Sequence, residues 1–94
     1  MTFTEWKQSG WSFEEDTVEE IEKAHLYPDD GRVPHVPWGF MNAEWLRFKL
    51  QVREGDKIYH YSSDPKSWEN LAGREGYILV RGDEIVGSIL SVMN

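Results

Sequence analysis

The feature that most constrains the fold is a pair of apolar segments near the C-terminal end, separated by a glycine turn. Residues 77–80 (YILV) and 85–90 (IVGSIL) flank the tetrapeptide RGDE. Their β-branched and aliphatic side chains favour strands. Gly at the first central position of a two-residue loop is what a type II′ hairpin turn requires. The sequence therefore predicts a C-terminal β-hairpin.

A further strand is predicted over residues 57–63 (KIYHYSS), where β-branched and aromatic side chains again dominate. Because successive side chains of a strand point to opposite faces, Tyr59 and Tyr61 share one face and His60 lies on the other. We expect this strand to pair with the hairpin in a small antiparallel sheet.

Residues 43–53 fit two different structures. Trp45, Phe48 and Val52 have the spacing of one helical face, and Asn42 can cap such a helix. The segment LRFKLQVR, however, alternates strictly between apolar and polar residues, which is typical of a half-buried strand. Periodicity leaves both alternatives open.

The acidic N-terminal third predicts a helix. Ser12 and Glu15 match the capping-box pattern, in which the Ser hydroxyl accepts from a backbone N–H and the Glu side chain reaches back. The helix would run to about His25, with an apolar stripe facing inward and acids over the rest of its surface. Turn-forming residues 27–31 (YPDDG) would end it.

Two prolines and two glycines within residues 31–40 (GRVPHVPWGF) predict an extended loop after this helix. The loop is too apolar to be left in water. We therefore expect Trp38 and Phe40 to pack onto the core.

Residues 64–76 (DPKSWENLAGREG) contain the signals of both ends of a helix. Asp64 is a good N-cap, and the proline after it fits the first helical position. Gly73 fits the left-handed residue just past a helix end. These signals predict a two-turn helix from Pro65 to Ala72, with its tryptophan packed inward.

Together these elements predict one α+β domain over residues 1–94, a length that suits a single core. An N-terminal acidic helix and a second helix would pack on a small, mainly antiparallel sheet that ends in the hairpin. The sheet would have three strands, or four if residues 46–53 are a strand.

Composition narrows the setting of the protein. The chain has no cysteine, and its first residues lack the basic start and apolar run of a signal peptide, so we expect a cytoplasmic protein. No apolar stretch approaches the roughly 20 residues that a membrane-spanning helix needs.

The negative charge is confined to the first third of the chain. Residues 1–31 hold nine acids and two lysines, a net charge of −7, whereas residues 32–94 hold eight acids and eight Lys and Arg. Such a field disfavours nucleic acid and anionic lipid and favours a basic protein partner. The residues expected to bind this partner are Glu14, Glu15, Asp16, Glu19, Glu20 and Glu22.

Signals for catalysis or metal binding are weak. The three histidines, at positions 25, 35 and 60, have no second ligand-type residue at a metal-site spacing, so we predict no metal and no cofactor. The serines near His60 form no known nucleophile motif. Capping rules leave Arg74 unexplained, so it could bond a carboxylate or backbone carbonyls within the fold, or face a ligand. The candidate residues of a ligand pocket in this region are Tyr59, His60, Ser63, Trp68 and Arg74.

The last fifty or so residues, about 41–94, carry the pattern SSxPxSWxxLAGRxGYxLVR followed by a closing MN. This pattern resembles a group of small, uncharacterised bacterial proteins. The resemblance implies a bacterial or phage origin and favours the helix for residues 43–52. It implies no activity.

Three functions follow as hypotheses. The first is a non-enzymatic acidic protein that binds and masks a basic partner surface, as immunity and inhibitor proteins do. The second is a small-ligand or enzymatic site where the 57–63 strand meets residues 64–76. The third is a structural homodimer.

Overall fold

The computed structural model describes residues 2–29 and 31–93. Over these residues the fold is α+β, as predicted. Its elements are, in chain order, α1 Phe3–Lys7, β1 Ser12–Asp16, α2 Val18–Ala24, α3 Asn42–Leu50, β2 Lys57–Ser62, α4 Pro65–Glu69, β3 Arg74–Arg81 and β4 Glu84–Met93. Asp30, in the turn expected after the first helix, and Asn94, in the resemblance pattern, lie outside the described residues.

The strands form one antiparallel, four-stranded sheet in the order β1-β2-β3-β4. The predicted hairpin is confirmed: Arg81 pairs with Glu84, and Gly82 has a φ of +64°, the positive value that a type II′ turn requires there. The fourth strand comes from the N-terminal region and not from residues 46–53. Strands β1 and β4 are the two edges of the sheet.

Both faces of the sheet are packed. One face, here called the helical face, lies against α2 and α3, and its buried residues are Ile21, Trp38, Trp45, Phe48, Ile58, Tyr77, Leu79 and Ile89. The other, here called the aromatic face, lies against α1, and its residues are Phe3, Trp6, Trp11, Phe13, Tyr59, Tyr61, Ile78, Val80 and Ile85. Period-two alternation along the strands supplies apolar side chains to both faces.

The predicted helix start at Ser12 is wrong, because residues 12–16 form strand β1. Phe13 contacts Phe3 and Trp6 on the aromatic face, with ring centroids 5.3 Å and 5.1 Å away. The strand also pairs along its whole length with β2. These interactions outweigh a capping motif that contributes about 1 kcal/mol.

Helix α2 is therefore shorter than the predicted helix. Thr17 is its N-cap, and its Oγ1 accepts a hydrogen bond from the backbone N–H of Glu20 at 3.2 Å. The helix runs from Val18 to Ala24, and His25 is the C-cap. Its single buried residue among those described is Ile21.

Helix α1 has no counterpart among the predicted elements. It begins with a capping box in which Glu5 N–H donates to Thr2 Oγ1 at 3.1 Å and Thr2 N–H donates to Glu5 Oε1 at 2.9 Å. In the hairpin turn, Asp83 Oδ1 accepts from the backbone N–H and the hydroxyl of Thr4 at 2.9 Å and 2.7 Å. These bonds fix α1 against the β3–β4 hairpin.

Residues 42–50 are helical, which decides between the two interpretations of residues 43–53. Trp45 and Phe48 are buried and stack on each other with centroids 5.6 Å apart. Only the helical arrangement brings both rings to the same side, where they cover the sheet.

The loop before α3 contributes one of its two aromatic side chains to the core. Trp38 is buried and stacks on Trp45 at 5.7 Å. Phe40 is 75% exposed, so its predicted packing is wrong. In the 3₁₀ turn Gly39–Met41 the inward position is taken by Gly39, against which Val33 packs closely.

Helix α4 ends at Glu69, earlier than the predicted Ala72. The left-handed residue after it is Leu71, with a φ of +57°, and not Gly73. Gly73 is required for another reason: a Cβ at this position would clash with the indole ring of Trp68. The tryptophan is half-buried there.

An ion pair ties the loop after α3 to the hairpin. Arg81 donates from Nε to Asp56 Oδ1 at 2.9 Å and from Nη2 to Oδ2 at 2.8 Å. The N–H of Arg53 also donates to this carboxylate, at 2.9 Å. The Arg81 hydrogen bonds hold the pKa of Asp56 below its ordinary value, with Arg53 lowering it further.

Candidate functional site

The six acidic residues expected to bind a partner are divided between two elements. Three lie on the edge strand β1 and three on α2: Glu14, Glu15, Asp16, Glu19, Glu20 and Glu22. Since the side chains of β1 alternate, Glu14 and Asp16 lie on the side of the helical face and Glu15 on the side of the aromatic face. The acids are therefore divided between an edge strand and the helix that follows it instead of forming one helical stripe.

Glu22 has a structural role. Its Oε2 accepts hydrogen bonds from Trp45 Nε1 at 2.8 Å and from Lys49 Nζ at 3.2 Å. The bond from Trp45 lowers the pKa of Glu22, partial burial opposes this, and Lys49 adds to the lowering. Glu22 thus joins α2 to α3 and is engaged within the fold.

The other acids are only weakly engaged. Glu15 lies 3.8 Å from Lys57 Nζ and Glu20 lies 3.6 Å from Lys23 Nζ, with all four side chains mostly exposed. Such pairs contribute roughly 0–1 kcal/mol. Exposed carboxylates therefore remain on β1 and on the helix that follows it, and we name these residues the acidic edge: the strand with Glu14, Glu15, Glu19 and Glu20.

Half-buried aromatic rings lie next to the acidic edge. Trp6 is 5.2 Å from Trp11 and 5.1 Å from Phe13, measured between ring centroids. Trp11 stacks on Tyr61 at 5.8 Å. Trp6, Trp11 and Phe13 all keep part of their surface exposed. Of the carboxylates of the acidic edge, Glu15 lies on the same side of the sheet as these rings.

On the helical face, His60 is held by a carboxylate from the neighbouring strand. Its Nε2 is 2.7 Å from Glu75 Oε1. Because an ionised carboxylate only accepts hydrogen bonds, Nε2 carries the proton of this bond, and Nδ1 is the ring nitrogen that takes no part in it. His60 also pairs across the strands with Glu14 and Tyr77, and its ring meets the Tyr77 ring edge-on at 5.2 Å.

An open depression lies where His60 meets the acidic edge. It has a volume of about 280 Å³ and is lined by Ser12, Phe13, Glu14 and His60. Its polar groups are one imidazole, one carboxylate and one hydroxyl. The Glu75 carboxylate binds the imidazole at Nε2, and Glu14 lines the depression itself. With two carboxylates at or beside it, the depression is suited to a small cationic group.

A second histidine lies deeper on the same face. His25 Nε2 and the Tyr77 hydroxyl share a hydrogen bond of 3.0 Å. Burial lowers the pKa of His25, and His60 adds to this lowering while Glu75 and Asp16 oppose it. Burial also raises the pKa of Tyr77 to about 12, with Asp16 and Glu75 adding to the rise. Both groups are therefore uncharged near neutral pH.

The five residues considered for a ligand pocket do not come together. His60 lies on the helical face, whereas Tyr59 belongs to the aromatic face. Arg74 also lies on the aromatic side, because Glu75, the next residue, shares the face of His60. Arg74 and His60 thus point to opposite sides of the sheet, and the pocket they were expected to share is not formed.

Three of these residues hold the junction between β2, α4 and β3. Ser63 is buried, its Oγ accepts from Arg74 N–H at 2.8 Å, and its own N–H donates to Arg74 O at 2.9 Å. Trp68 Nε1 donates to Ser62 Oγ at 3.3 Å. Arg74 Nη1 donates to the Gly73 carbonyl at 2.9 Å. Arg74 therefore bonds a backbone carbonyl within the fold.

The residues that do surround His60 were only partly visible in the sequence. Glu14 was expected to face a partner, and His60 was in the proposed pocket. Glu75 and Tyr77 were not candidates, because they meet His60 only through the register of β2 against β3. Alternation along KIYHYS could already separate His60 from Tyr59.

No group of three or more His, Asp or Glu side chains within residues 2–29 and 31–93 is arranged to hold a metal ion. None of the helices described here has the length and apolar character needed to cross a bilayer. Comparison of the chain with protein-family models, curated proteins and solved structures found no match. The resemblance to small bacterial proteins therefore stays a prediction.

Proposed function

We propose that this chain is a non-enzymatic protein-binding protein that recognises a basic, extended segment of its partner at the acidic edge. The observation that carries the proposal is the outer side of β1, which no strand of the described residues covers and which Glu14 and Glu15 flank. An unpaired edge offers a row of backbone N–H and C=O groups to an incoming strand.

Charge defines the partner's chemistry. All of the net charge of −7 belongs to residues 1–31, and six of the nine acids there lie on β1 or α2. A negative surface raises the association rate with a positive partner and repels phosphate backbones and anionic lipids. The chain would then act as immunity or inhibitor proteins do, by masking a basic surface.

The aromatic rings beside β1 supply the apolar part of such an interface. Binding energy in protein interfaces is concentrated in a few aromatic and Arg side chains, which act as anchors. Trp6, Trp11 and Phe13 are fixed by ring contacts with each other and with Tyr61. A segment paired with β1 would pass over rings that are already ordered.

The proposed setting is the cytosol. The chain has no cysteine, whereas small domains of oxidising compartments commonly rely on disulfides. The fold instead draws its stability from the two packed faces of the sheet.

The proposal can be tested with a defined peptide of alternating Lys and Val residues. We expect it to shift the backbone amide NMR signals of residues 12–16 and to bind at least roughly tenfold more weakly at high salt, because screening shortens the reach of exposed charges. The matched control is a peptide of the same length in which Glu replaces Lys.

Substitutions locate the surface. The Glu14→Lys, Glu15→Lys double variant should abolish binding of the basic peptide, whereas Glu44→Lys, Glu69→Lys, with the same change in charge at exposed positions on α3 and α4, should retain it. Equal binding of the two peptides, or loss of binding in both double variants, would refute recognition at the acidic edge.

The open depression favours a second candidate function, a site for a small cationic group. Glu75 orients His60 as a carboxylate orients a catalytic or ligand-binding imidazole. Methylguanidinium is a suitable probe, because it is the head of an Arg side chain. It should shift the ring signals of His60 and leave those of His35 unchanged, and Glu14→Gln should weaken the shift. If the His60 signals stay in place, this candidate is excluded.

A further inference from the structure

Strand β4 is the longest strand and forms the second edge of the sheet. It has ten residues, Glu84–Met93, and pairs on one side only among the described strands. After Glu84 the strand carries no charged side chain. Leu90, Val92 and Met93 are 37%, 45% and 64% exposed. This edge is thus long and apolar, and it is uncharged after its first residue.

Natural proteins usually protect an exposed edge with charges, prolines, bulges or a very short strand. In β4 the protection is confined to two bulges, marked by register shifts at Glu75/Gly76 and Leu79/Val80 of β3. Between them, residues 87–90 pair regularly with residues 76–79. This uninterrupted stretch contains neither a charge nor a proline, so it can serve as a template for another strand.

We infer that β4 pairs with β4 of a second copy of this chain. The two strands run antiparallel about a two-fold axis that passes through residues 87–90, perpendicular to the sheet. Such an interface uses the same surface on both copies and closes after two of them. It joins two four-stranded sheets into one continuous sheet.

Charge selects a second copy as the occupant. In the antiparallel arrangement Glu84 lies near Val92 of the partner subunit and far from its own symmetry mate. The two acidic edges lie at opposite ends of the joined sheet, roughly 34 Å apart at about 4.8 Å per strand, which is several Debye lengths of about 8 Å. Pairing of β1 with β1 would instead place acids opposite acids, which is destabilising.

A charged partner has nothing to recognise at β4, because the strand offers no counter-charge after its first residue. The exposed side chain of Leu90 lies close to the two-fold axis and is suited to the apolar residues of the same strand in a second copy. Self-pairing therefore satisfies both the backbone groups and the apolar side chains of this edge without bringing like charges together.

Multi-angle light scattering over a concentration series tests the assembly. We expect the mass of two chains, and the mass of one chain in Leu90→Lys, because lysine is a typical protector of an edge strand. Leu71→Lys, at an exposed leucine away from β4, is the matched control and should remain a dimer. A monomer at every concentration, a dimer that Leu90→Lys leaves intact, or an assembly that grows beyond two chains would each overturn the inference.

Cross-linking gives a test that does not depend on a disruptive substitution. Since the chain has no cysteine, Ser88→Cys introduces a single thiol at an exposed position close to the axis. A short bismaleimide should link two Ser88→Cys chains in high yield and two Leu71→Cys chains hardly at all. Equal yields from the two variants would contradict pairing through β4.

Discussion

The two edges of the sheet differ in the charge of their side chains. Strands β1 and β4 both leave one side of their backbone without a strand partner in the described chain. Strand β1, SFEED, carries three acids in five residues, whereas β4, EIVGSILSVM, carries one acid in ten. Backbone groups alone make any edge adhesive, and the side chains then select what can approach it.

On the proposals made above, β1 would exclude a second copy of its own strand and admit a basic segment, whereas β4 would admit its own copy and offer no counter-charge to a charged segment. The acids of β1 and the lack of charge along most of β4 would thus let one small sheet bind two different partners, each at its own edge.

The largest effect is expected when the difference between the edges is removed. Glu14→Val with Glu15→Thr would leave Asp16 as the single acid of β1, at the end of the strand, much as Glu84 is the single acid of β4. A chain with two apolar edges can pair head to tail, with β1 of one copy against β4 of the next, and such pairing does not end in a closed assembly. We expect assemblies that grow with time, measured by light scattering. Glu44→Val with Glu69→Thr removes the same charge elsewhere and should leave the mass unchanged; growth in both variants would mean that net charge, and not β1, prevents association.

A smaller effect is expected from removing the aromatic support of β1. Trp6 contacts Trp11, Phe13 and Tyr61, so Trp6→Ala should lower the free energy of unfolding by about 2 kcal/mol, less than the 3–5 kcal/mol of a fully buried tryptophan. Hydrogen exchange should show lost protection in residues 12–16 and retained protection in β3. An equal loss of protection in residues 12–16 and in β3 would contradict the expectation that the two edges of the sheet are stabilised separately.

The ion pair between Asp56 and Arg81 makes the stability of the fold depend on pH. Arg81 is the residue before the hairpin turn, so this dependence concerns the β4 side of the sheet. Because the hydrogen bonds from Arg81 depress the pKa of Asp56 below its ordinary 3.8, the pair stabilises the fold above that pH and its contribution is lost as the pH falls through the depressed value. Asp56→Asn should lower stability at neutral pH and flatten the acid limb of the stability curve. Urea unfolding of both proteins between neutral and acid pH measures this, and an unchanged acid limb would exclude Asp56 as its source.

The smallest effect is expected from a single acid of β1. Within the described residues, the ion pair that Glu15 forms is an exposed one with Lys57, so Glu15→Gln should change the free energy of unfolding by less than about 0.5 kcal/mol. The same variant should slow association with the basic peptide measured by stopped flow. A large loss of stability would assign this acid to the fold instead of to a partner.

Elements that depend on local signals could be predicted from the sequence. The hairpin and strand β2 follow from composition and turn chemistry, and α3 follows from helical spacing once Trp45 and Phe48 are given a core to face. Residues 12–16 could not be placed, because their motif matched a helix start while their structure depends on pairing with residues 58–62. The capping box at Thr2 and Glu5, by contrast, is a local signal that identifies α1.

The candidate site was less accessible to prediction, since it is assembled across strands. His60 stands out in the sequence, but its partner Glu75 is fixed by the register between β2 and β3. Capping rules leave Arg74 unexplained, and in the structure its side chain donates to the carbonyl of the preceding residue, Gly73. A residue's chemistry is visible in a sequence, whereas the face it occupies depends on pairing that local patterns do not contain.

The connections between neighbouring strands also have a consequence for how the molecule forms. Strands β3 and β4 are joined by two residues, and such a hairpin closes within microseconds. Strand β1 reaches β2 only across residues 17–56, and closing so long a loop costs more chain entropy. We therefore expect β1 to join the sheet last during folding and to detach first in local opening, so that the acidic edge would be the most readily remodelled part of the molecule when a partner arrives.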